Sequence, residues 1–389
     1  MLRPRSWRSR AQASRDGGMT QPLLFTPLSI RGLTLRNRIM VSPMCQYYAV
    51  EGQTQNWHLA HHSRFALGGV GAAMVEATAV TRDGRISHGC TGIWEDDQIP
   101  GYRQIVDTYR EHEVASGIQL AHAGRKASTA RPWDGGGSLP ADGEPAWETV
   151  GPSPIPAREG WPAPRALEPE EIPDIVDAFR SATVRALEAG FDFVEIHGAH
   201  GYLLHSFFSP LSNQRIDEFG GDRERRMRLP VMVAKAIRSV WPAERPLFYR
   251  ASVIDGIEGG ITVEDTVALA RALKGEGVDV IDCSSGGLLG SVSMTNKLPP
   301  PGFQVPLAEA VRREADISTV AVGMVTEPRH AEEILQNGQA DLIAIAREFI
   351  ADPNWAYGAA RELGLEDPHG ILPFSYAFYL RGRAALQQG

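Results

Sequence analysis

His197 and His200 stand three residues apart in Glu195-Ile196-His197-Gly198-Ala199-His200-Gly201-Tyr202, with a phenol two residues further on. If the chain turns helical there, both imidazoles project to one side. Two ring N–H donors aimed at one carbonyl oxygen would withdraw charge from a conjugated C=C bond and stabilise the enolate that hydride addition creates. Tyr202 would then supply a proton. The same spacing suits a metal pair with Glu195 or His205 as third ligand, although H-x-x-H alone is a weak signal. Two ordinary hydrogen-bonded histidines are the structural alternative.

Other residues able to do chemistry follow apolar runs elsewhere. Cys45 and Tyr47 lie in Ser42-Pro43-Met44-Cys45-Gln46-Tyr47. A thiol beside a flavin would be a weak donor that tunes its potential, whereas a buried cysteine is ordinarily inert; Tyr47 would add a second phenol beside a substrate. Gly323-Met324 and Arg347 flank the place where a barrel commonly holds a phosphate, between backbone N–H groups and a charge-assisted fork. A structural ion pair is the competing reading of Arg347. Arg250 would place a fixed cation against the negative charge of a reduced flavin. Gln119 can donate and accept along a pyrimidine edge, or both can belong to a satisfied polar layer.

These residues need elements to bring them together. From residue 39 short β-rich runs alternate with longer amphipathic ones, the pattern of βαβ units and a parallel sheet. The strands expected are Ile39–Val41, Ala72–Val80, Gly117–Ala121, Phe191–Ile196, Pro246–Ala251, Val278–Cys283, Thr319–Val322 and Asp341–Ala346. Helices are expected over Glu170–Ala189, Asp265–Lys274, Pro306–Glu314, Glu327–Asn337 and Asp352–Leu363. Eight strands close a barrel, so the fold class expected is α/β, a (β/α)8 TIM barrel. No strand leads into G-x-G-x-x-G, which argues against a Rossmann domain. Cys45, Gln119, His197, Arg250, Ser284-Ser285, Gly323 and Arg347 fall at or near the ends of seven strands, on the rim where barrel enzymes keep their chemistry. Two βα loops, after strands three (Gly124–Glu168) and six (Gly286–Val305), are long enough to act as lids rather than decoration.

Of 389 residues, 43% are apolar and 22% charged, with a net charge of −8, an ordinary globular composition. The pI near 5.8 argues against a nucleic-acid partner, and no apolar run reaches the length of a membrane span. Cys45, Cys90 and Cys283 include no C-x-x-C, so neither a zinc knuckle nor an iron–sulfur cluster is provided for, and a reducing, cytoplasmic setting is expected. Residues 1–18 carry five arginines against one acid and no apolar core, which reads as a disordered basic extension ahead of a second possible start at Met19. The expected domains are that extension, a barrel over 19–365 and a tail over 366–389.

In order, Leu35-Arg36-Asn37-Arg38-Ile39, Ser42-Pro43-Met44-Cys45, Val75-Glu76-Ala77-Thr78-Ala79-Val80, Gln119-Leu120-Ala121-His122-Ala123-Gly124-Arg125 and the block from His197 to Gly221 form a specific set. With them the sequence from about Leu24 to Trp355 resembles the Old Yellow Enzyme family, in its thermophilic-like branch that includes bacterial xenobiotic reductases. The resemblance implies FMN held non-covalently by Ser42, Pro43, Met44, Cys45, Ala77, Gln119, Arg250 and Ala346-Arg347. Ser285, Gly323 and Met324 at the strand ends complete the expected cofactor-binding set. It implies NADPH or NADH as reductant and a small enone as substrate, with His197 and His200 binding the carbonyl. Tyr202 is then the proton donor, Cys45 the flavin-tuning thiol and Tyr47 a substrate contact. It also implies a homo-oligomer, dimer or tetramer, in which Tyr379, Arg381 or Arg383 of the tail reaches a neighbouring subunit's site. Ala346 departs from the glycine many relatives carry there, and Gln46 from a commonly apolar residue.

Overall fold

The computed structural model describes residues 21–139, 143–289 and 298–388. The arginine-rich residues 1–18 lie outside these, as does part of the segment after the sixth strand. Strands β1 (Ile39–Val41), β2 (Ala72–Ala79), β3 (Ala115–Ala121), β4 (Phe193–Gly198), β5 (Leu247–Ser252), β6 (Val280–Ser284), β7 (Ser318–Val322) and β8 (Leu342–Ile345) close a parallel barrel in chain order. The last pairing returns to the first, with Ile343 opposite Ile39. Each strand end falls within two residues of the run expected from sequence.

A period of two sorts each strand into an inward and an outward set. On β4, β5 and β6 the inward sets are Phe193-Glu195-His197, Phe248-Arg250-Ser252 and Val280-Asp282-Ser284, and Arg250 stands directly beside Asp282. The first member of each is apolar. Phe193, Phe248, Val280, Val320, Leu342 and Met40 pack into a floor, with the Phe193 and Phe248 rings 4.9 Å apart. An antiparallel hairpin, Leu28–Ile30 with Leu33–Leu35, packs against the same cluster and plugs that end of the barrel. The polar members follow toward the opposite end, so the strands run from an apolar floor to a polar mouth.

Local chemistry sets the helix limits. Ile172–Ala189 is entered through a turn at Pro169–Glu171 in which Glu168 and Glu171 cap each other, and it stops at Gly190 with φ +98°. Thr262 and Asp265 cap Val263–Gly275 in the same way. Helices Asn56–Ala66, Ile99–Glu111 and Arg223–Arg238 were not singled out from sequence. The first hides its buried stripe behind His58, His61 and His62, and the last carries Pro230 inside it. Among the described residues no helix is long and apolar enough to cross a membrane.

The segment after β3 is built rather than loose. It contains a two-stranded ribbon, Val150–Gly151 with Arg165–Ala166. Arg125, 2% exposed, donates to Ile155 O and Pro156 O at 3.2 Å each and to Leu288 O at 3.0 Å, fastening it to the segment after β6. The chain ends in a helix, Phe374–Gln388, on which Arg381 pairs with Asp367 at 2.6 Å and Tyr379 is 74% exposed.

Gly117 of β3 is bare because the Phe193 ring fills its place: a Cβ there would lie 2.3 Å from that ring. Gly117→Ala should therefore lower stability by about 1–3 kcal/mol through overpacking. Urea denaturation checks this, and an unchanged midpoint would contradict a tightly packed floor.

Candidate active site

The mouth is assembled from the strand ends. Ser42 prolongs β1 by donating its N–H to Ile345 O at 2.9 Å. Pro43, Met44, Cys45, Gln46 and Tyr47 follow as a half-buried loop, with Tyr47 in the left-handed region at φ +56°. What holds this loop is a bulge in β2. Val75 pairs with Ile118 and Ala77 with Gln119, leaving Glu76 as the extra residue. Its carboxylate accepts the Gln46 N–H at 2.9 Å and lies 3.5 Å from His58 Nε2. The bulge also resets the alternation, so Ala77 rather than Glu76 shares the inward register of Gln119. Desolvation, reinforced by Glu76, pushes the Cys45 thiol well up and keeps it protonated.

One layer inside, Gln119 Nε2 donates to Glu195 Oε1 at 2.7 Å, and Arg250 Nε lies 3.4 Å from Asp282 Oδ2. Arg250 Nη1 reaches Ser42 Oγ only at 3.5 Å. Neither Gln119 nor Arg250 is consumed by this layer, which keeps both available to a ligand above it.

At the mouth, His197 and His200 meet edge to face with ring centroids 5.2 Å apart, and the Tyr202 ring is 4.8 Å from His197. The chain does not turn helical after β4, as the spacing suggested. His200 takes φ +60°, and the helix Leu203–Phe208 begins only beyond Tyr202. The rings converge because that turn is pinned. His200 N–H donates to Ser252 Oγ at 3.0 Å, and Lys126 Nζ donates to His200 O at 2.7 Å and also to Gly287 O. Burial, reinforced by the Arg250 charge, drives both imidazoles well below their usual range, so both are neutral. A neutral imidazole has one donor. Ala199 N–H gives to His197 Nδ1 at 3.3 Å, which leaves Nε2–H free to donate. His200 Nε2 lies 2.7 Å from Ser284 Oγ.

His205, a third ligand for a metal reading, turns away. Its Nδ1 accepts the Gly201 N–H at 2.7 Å and its Nε2 faces Asp255 Oδ1 at 2.9 Å. Glu195 is engaged with Gln119. Among the described residues no group of three or more His, Cys, Asp or Glu is placed to hold a metal ion.

On the far side, Ser285 Oγ donates to Gln304 Oε1 at 2.8 Å, and Gln304 donates on to Val322 O. Gly323 and Met324 both take positive φ, +113° and +54°. Ala346 precedes the short helix Arg347–Ala351, and Arg347 Nη2 points to Met324 Sδ at 3.6 Å. Among the described residues no carboxylate lies within ion-pair distance of Arg347, so the structural ion pair is not made and the guanidinium remains open to an anion. Sequence reasoning missed Glu76, Lys126, Ser252, Asp282 and Trp133. The last sits on the segment after β3, 5.7 Å edge-on from the Tyr47 ring and 59% exposed. Inward alternation from His197 and Ser284 would have turned Glu195 and Asp282 each into the barrel, though not placed them together; the others have no signal in spacing.

Residues 23–366 match the NADH:flavin oxidoreductase / NADH oxidase family. The chain is 45% identical over 346 residues to an NADPH dehydrogenase of Geobacillus sp. (strain WCH70), covering 88% of this chain and 95% of that one. It is 43% identical over 348 residues to an NADPH dehydrogenase of Bacillus subtilis (strain 168), covering 89% and 96%. Among solved structures, morphinone reductase in complex with tetrahydroNAD superposes with a TM-score of 0.70 at 28% identity, over 88% of this chain and 91% of that one. A 2-naphthoyl-CoA reductase shares the fold at a TM-score of 0.79 and 23% identity, covering 90% and 53%.

Burial alone would raise the Asp255 carboxyl, but His205, the Ile261 N–H and the Ser209 hydroxyl hold it below its ordinary value. A depressed carboxyl contributes stability above its unfolded pKa of about 3.9 and loses it as pH falls through the folded value. Asp255→Asn should cost about 1–3 kcal/mol near neutrality through the buried hydrogen bonds it disrupts, with the gap to wild type closing on acidification below pH ~4. Denaturant unfolding across pH tests it, and a gap that widens in acid would refute the assignment.

Proposed function

Because the chain belongs to the NADH:flavin oxidoreductase / NADH oxidase family and is an NAD(P)H-dependent oxidoreductase that uses FMN, we propose that it reduces the C=C bond of α,β-unsaturated carbonyl compounds. The observation that carries this reading is the pair of neutral imidazoles converging at 5.2 Å with a phenol beside them, over a buried guanidinium.

The residues present fit the cofactor. Arg250 Nε is buried without a hydrogen bond, Gln119 has given only its N–H to Glu195, and among the described residues Arg347 has no carboxylate partner and lies beside two residues of positive φ. Ser42, Pro43, Met44, Cys45, Ala77, Gln119, Arg250 and Ser285 would hold the ring system, and Gly323, Met324, Ala346 and Arg347 the phosphate. Ala346 keeps its N–H for that purpose despite the methyl it adds. Bound FMN supplies the hydride, taken from NAD(P)H and delivered to the substrate's β-carbon. A solved morphinone reductase is in complex with tetrahydroNAD, which supports a nicotinamide nucleotide as the reductant here.

The protein's own part is to bind the carbonyl, hold the developing charge and move a proton. His197 Nε2–H donates to the carbonyl oxygen. His200 joins it from Nδ1 when Ser284 donates its hydroxyl hydrogen to His200 Nε2; Ser285, the nearer donor to Gln304, leaves Ser284 free to do so. As the enolate forms, both bonds become charge-assisted and strengthen, which lowers the barrier. Desolvation keeps the Tyr202 hydroxyl protonated at neutral pH, so it is loaded to protonate the α-carbon. Cys45 stays a neutral thiol beside the ring, and Tyr47 with Trp133 walls the outer mouth.

Purified protein should show a flavin absorption that bleaches with NADPH and returns with 2-cyclohexenone under anaerobic conditions. His197→Ala should keep FMN and the NADPH step while losing about 10²–10³ in kcat/KM for the enone. Loss of FMN from that variant would remove His197 from this role, and no reoxidation of the wild type by any enone would defeat the reading.

Because the histidines are already neutral, they do not titrate between pH 6 and 8. A phenol should bind more tightly as pH rises through the phenol's own pKa, with no opposing loss near pH 6.5, the ordinary histidine value. Difference titrations with two phenols of different acidity test this. A shared inflection independent of the phenol would mean that one histidine is charged.

A further inference from the structure

One layer below the histidines, Gln119, Glu195, Arg250 and Asp282 lie on the four consecutive strands β3 to β6. Glu195 and Asp282 are both 0% exposed, and the floor beneath them is apolar. Glu195 receives one hydrogen bond, from the neutral amide of Gln119 at 2.7 Å; its Oε2 and both Asp282 oxygens have none. The charged group that faces them is Arg250, from β5, with Nε 3.4 Å from Asp282 Oδ2. Ser42 on β1 and Gln119 on β3 bring no charge, and His197, next inward on β4, is neutral. One guanidinium thus confronts two carboxyl groups in a space without water-facing surface.

Three protonation states are open to such a group. With both acids ionised the layer buries a net negative charge beneath a ring that becomes negative on reduction. With both protonated, Arg250 is left without a countercharge. With one proton the layer is neutral, the state that desolvation favours. The strand register places that proton, since each acid has an unpartnered oxygen able to carry it. Asp282 is the direct cross-strand neighbour of Arg250, whereas Glu195 is paired in register with Gln119 and Phe248. The unpartnered Glu195 Oε2 is free to carry a hydrogen.

We propose that Glu195 and Asp282 share a single proton at neutral pH, Glu195 as the carboxylic acid and Asp282 as the carboxylate of Arg250, and that this proton sets how strongly Arg250 attracts reduced FMN. Burial raises both acids, Glu195 the further because Asp282 faces it, and Arg250 draws each back. Because the two interact, they titrate as a pair. Asp282 partly cancels the guanidinium from below while the protonated Glu195 adds no second negative charge. Both are positioning residues, acting on the cofactor through Arg250, and the inference rests on the reading that places FMN over Arg250.

The FMN-loaded full chain tests it in two ways. Infrared spectroscopy at neutral pH should find a protonated-carboxyl C=O stretch that shifts in D2O and disappears in Glu195→Gln. The flavin midpoint potential should be unchanged in Glu195→Gln, which swaps one neutral group for another. It should rise when Asp282→Asn is added to Glu195→Gln, by at least a tenfold shift of the two-electron equilibrium (about 30 mV), because Arg250 is then unmasked with no second acid left to ionise. Absence of the infrared band in the wild type, or equal shifts in the two variants, overturns the proposal. If the double variant does not fold, the wild-type spectrum and Glu195→Gln decide alone. Enone turnover by the wild type is unaffected by either result, so failure here is distinct from failure of the ene-reductase reading.

Discussion

A guanidinium lowered into a parallel barrel needs a countercharge, because the desolvation of an unpaired ion in so apolar a space costs several kcal/mol even after relaxation. Arg250 meets that need from Asp282 on the next strand, with Glu195 and Gln119 completing the layer. Much of the mouth follows from this one placement. The positive charge below, added to burial, makes both mouth histidines neutral. Neutral imidazoles have a single donor each, so which nitrogen carries the hydrogen becomes the deciding detail. That detail is governed by the Ala199 N–H at His197 and by the Ser284 hydroxyl at His200.

Regular strands alone would not present these groups correctly. Three of the positions that shape the mouth, Tyr47, His200 and Met324, adopt positive φ without being glycine, a conformation that persists only where neighbours impose it. Arg131 Nε reaches the Tyr47 carbonyl at 3.3 Å, and Lys126 holds the His200 carbonyl at 2.7 Å. The Glu76 bulge does similar work at the first strand end, where its carboxylate fixes Gln46 and with it the thiol of Cys45. The long segments after β3 and β6 supply several of these clamps, and Arg125 joins them to each other. The described residues of both segments thus support the rim.

The barrel was legible because each of its strands is a short apolar or β-branched run bounded by turn residues, and because burial on both faces of a parallel strand leaves that mark in any window. The rim residues were legible as types that follow such runs. The spacing of His197 and His200 allows convergence if the chain turns helical; instead the rings meet across a left-handed turn held by Ser252 and Lys126. The helix Asn56–Ala66 escaped notice because histidines occupy its buried stripe, and a hydropathy pattern counts them as polar. The hairpin that plugs the floor is too short to carry a period of its own.

Composition and spacing by themselves determined the eight-stranded alternation and the end of the barrel that carries polar residues, His197, His200, Tyr202, Cys45 and Arg250 among them. These are local properties: a period of two, and a polar residue where an apolar run stops. The tertiary structure decided the rest. Strict alternation along β2 would turn Glu76 inward with Ala72 and Met74, but the bulge gives that register to Ala77. Nor could spacing reveal that Glu195 and Asp282, 87 residues apart in the chain, lie in one dry layer around a single cation. Charge and protonation inside a barrel depend on which strands are neighbours and how far water is excluded, and both are set only when the sheet closes.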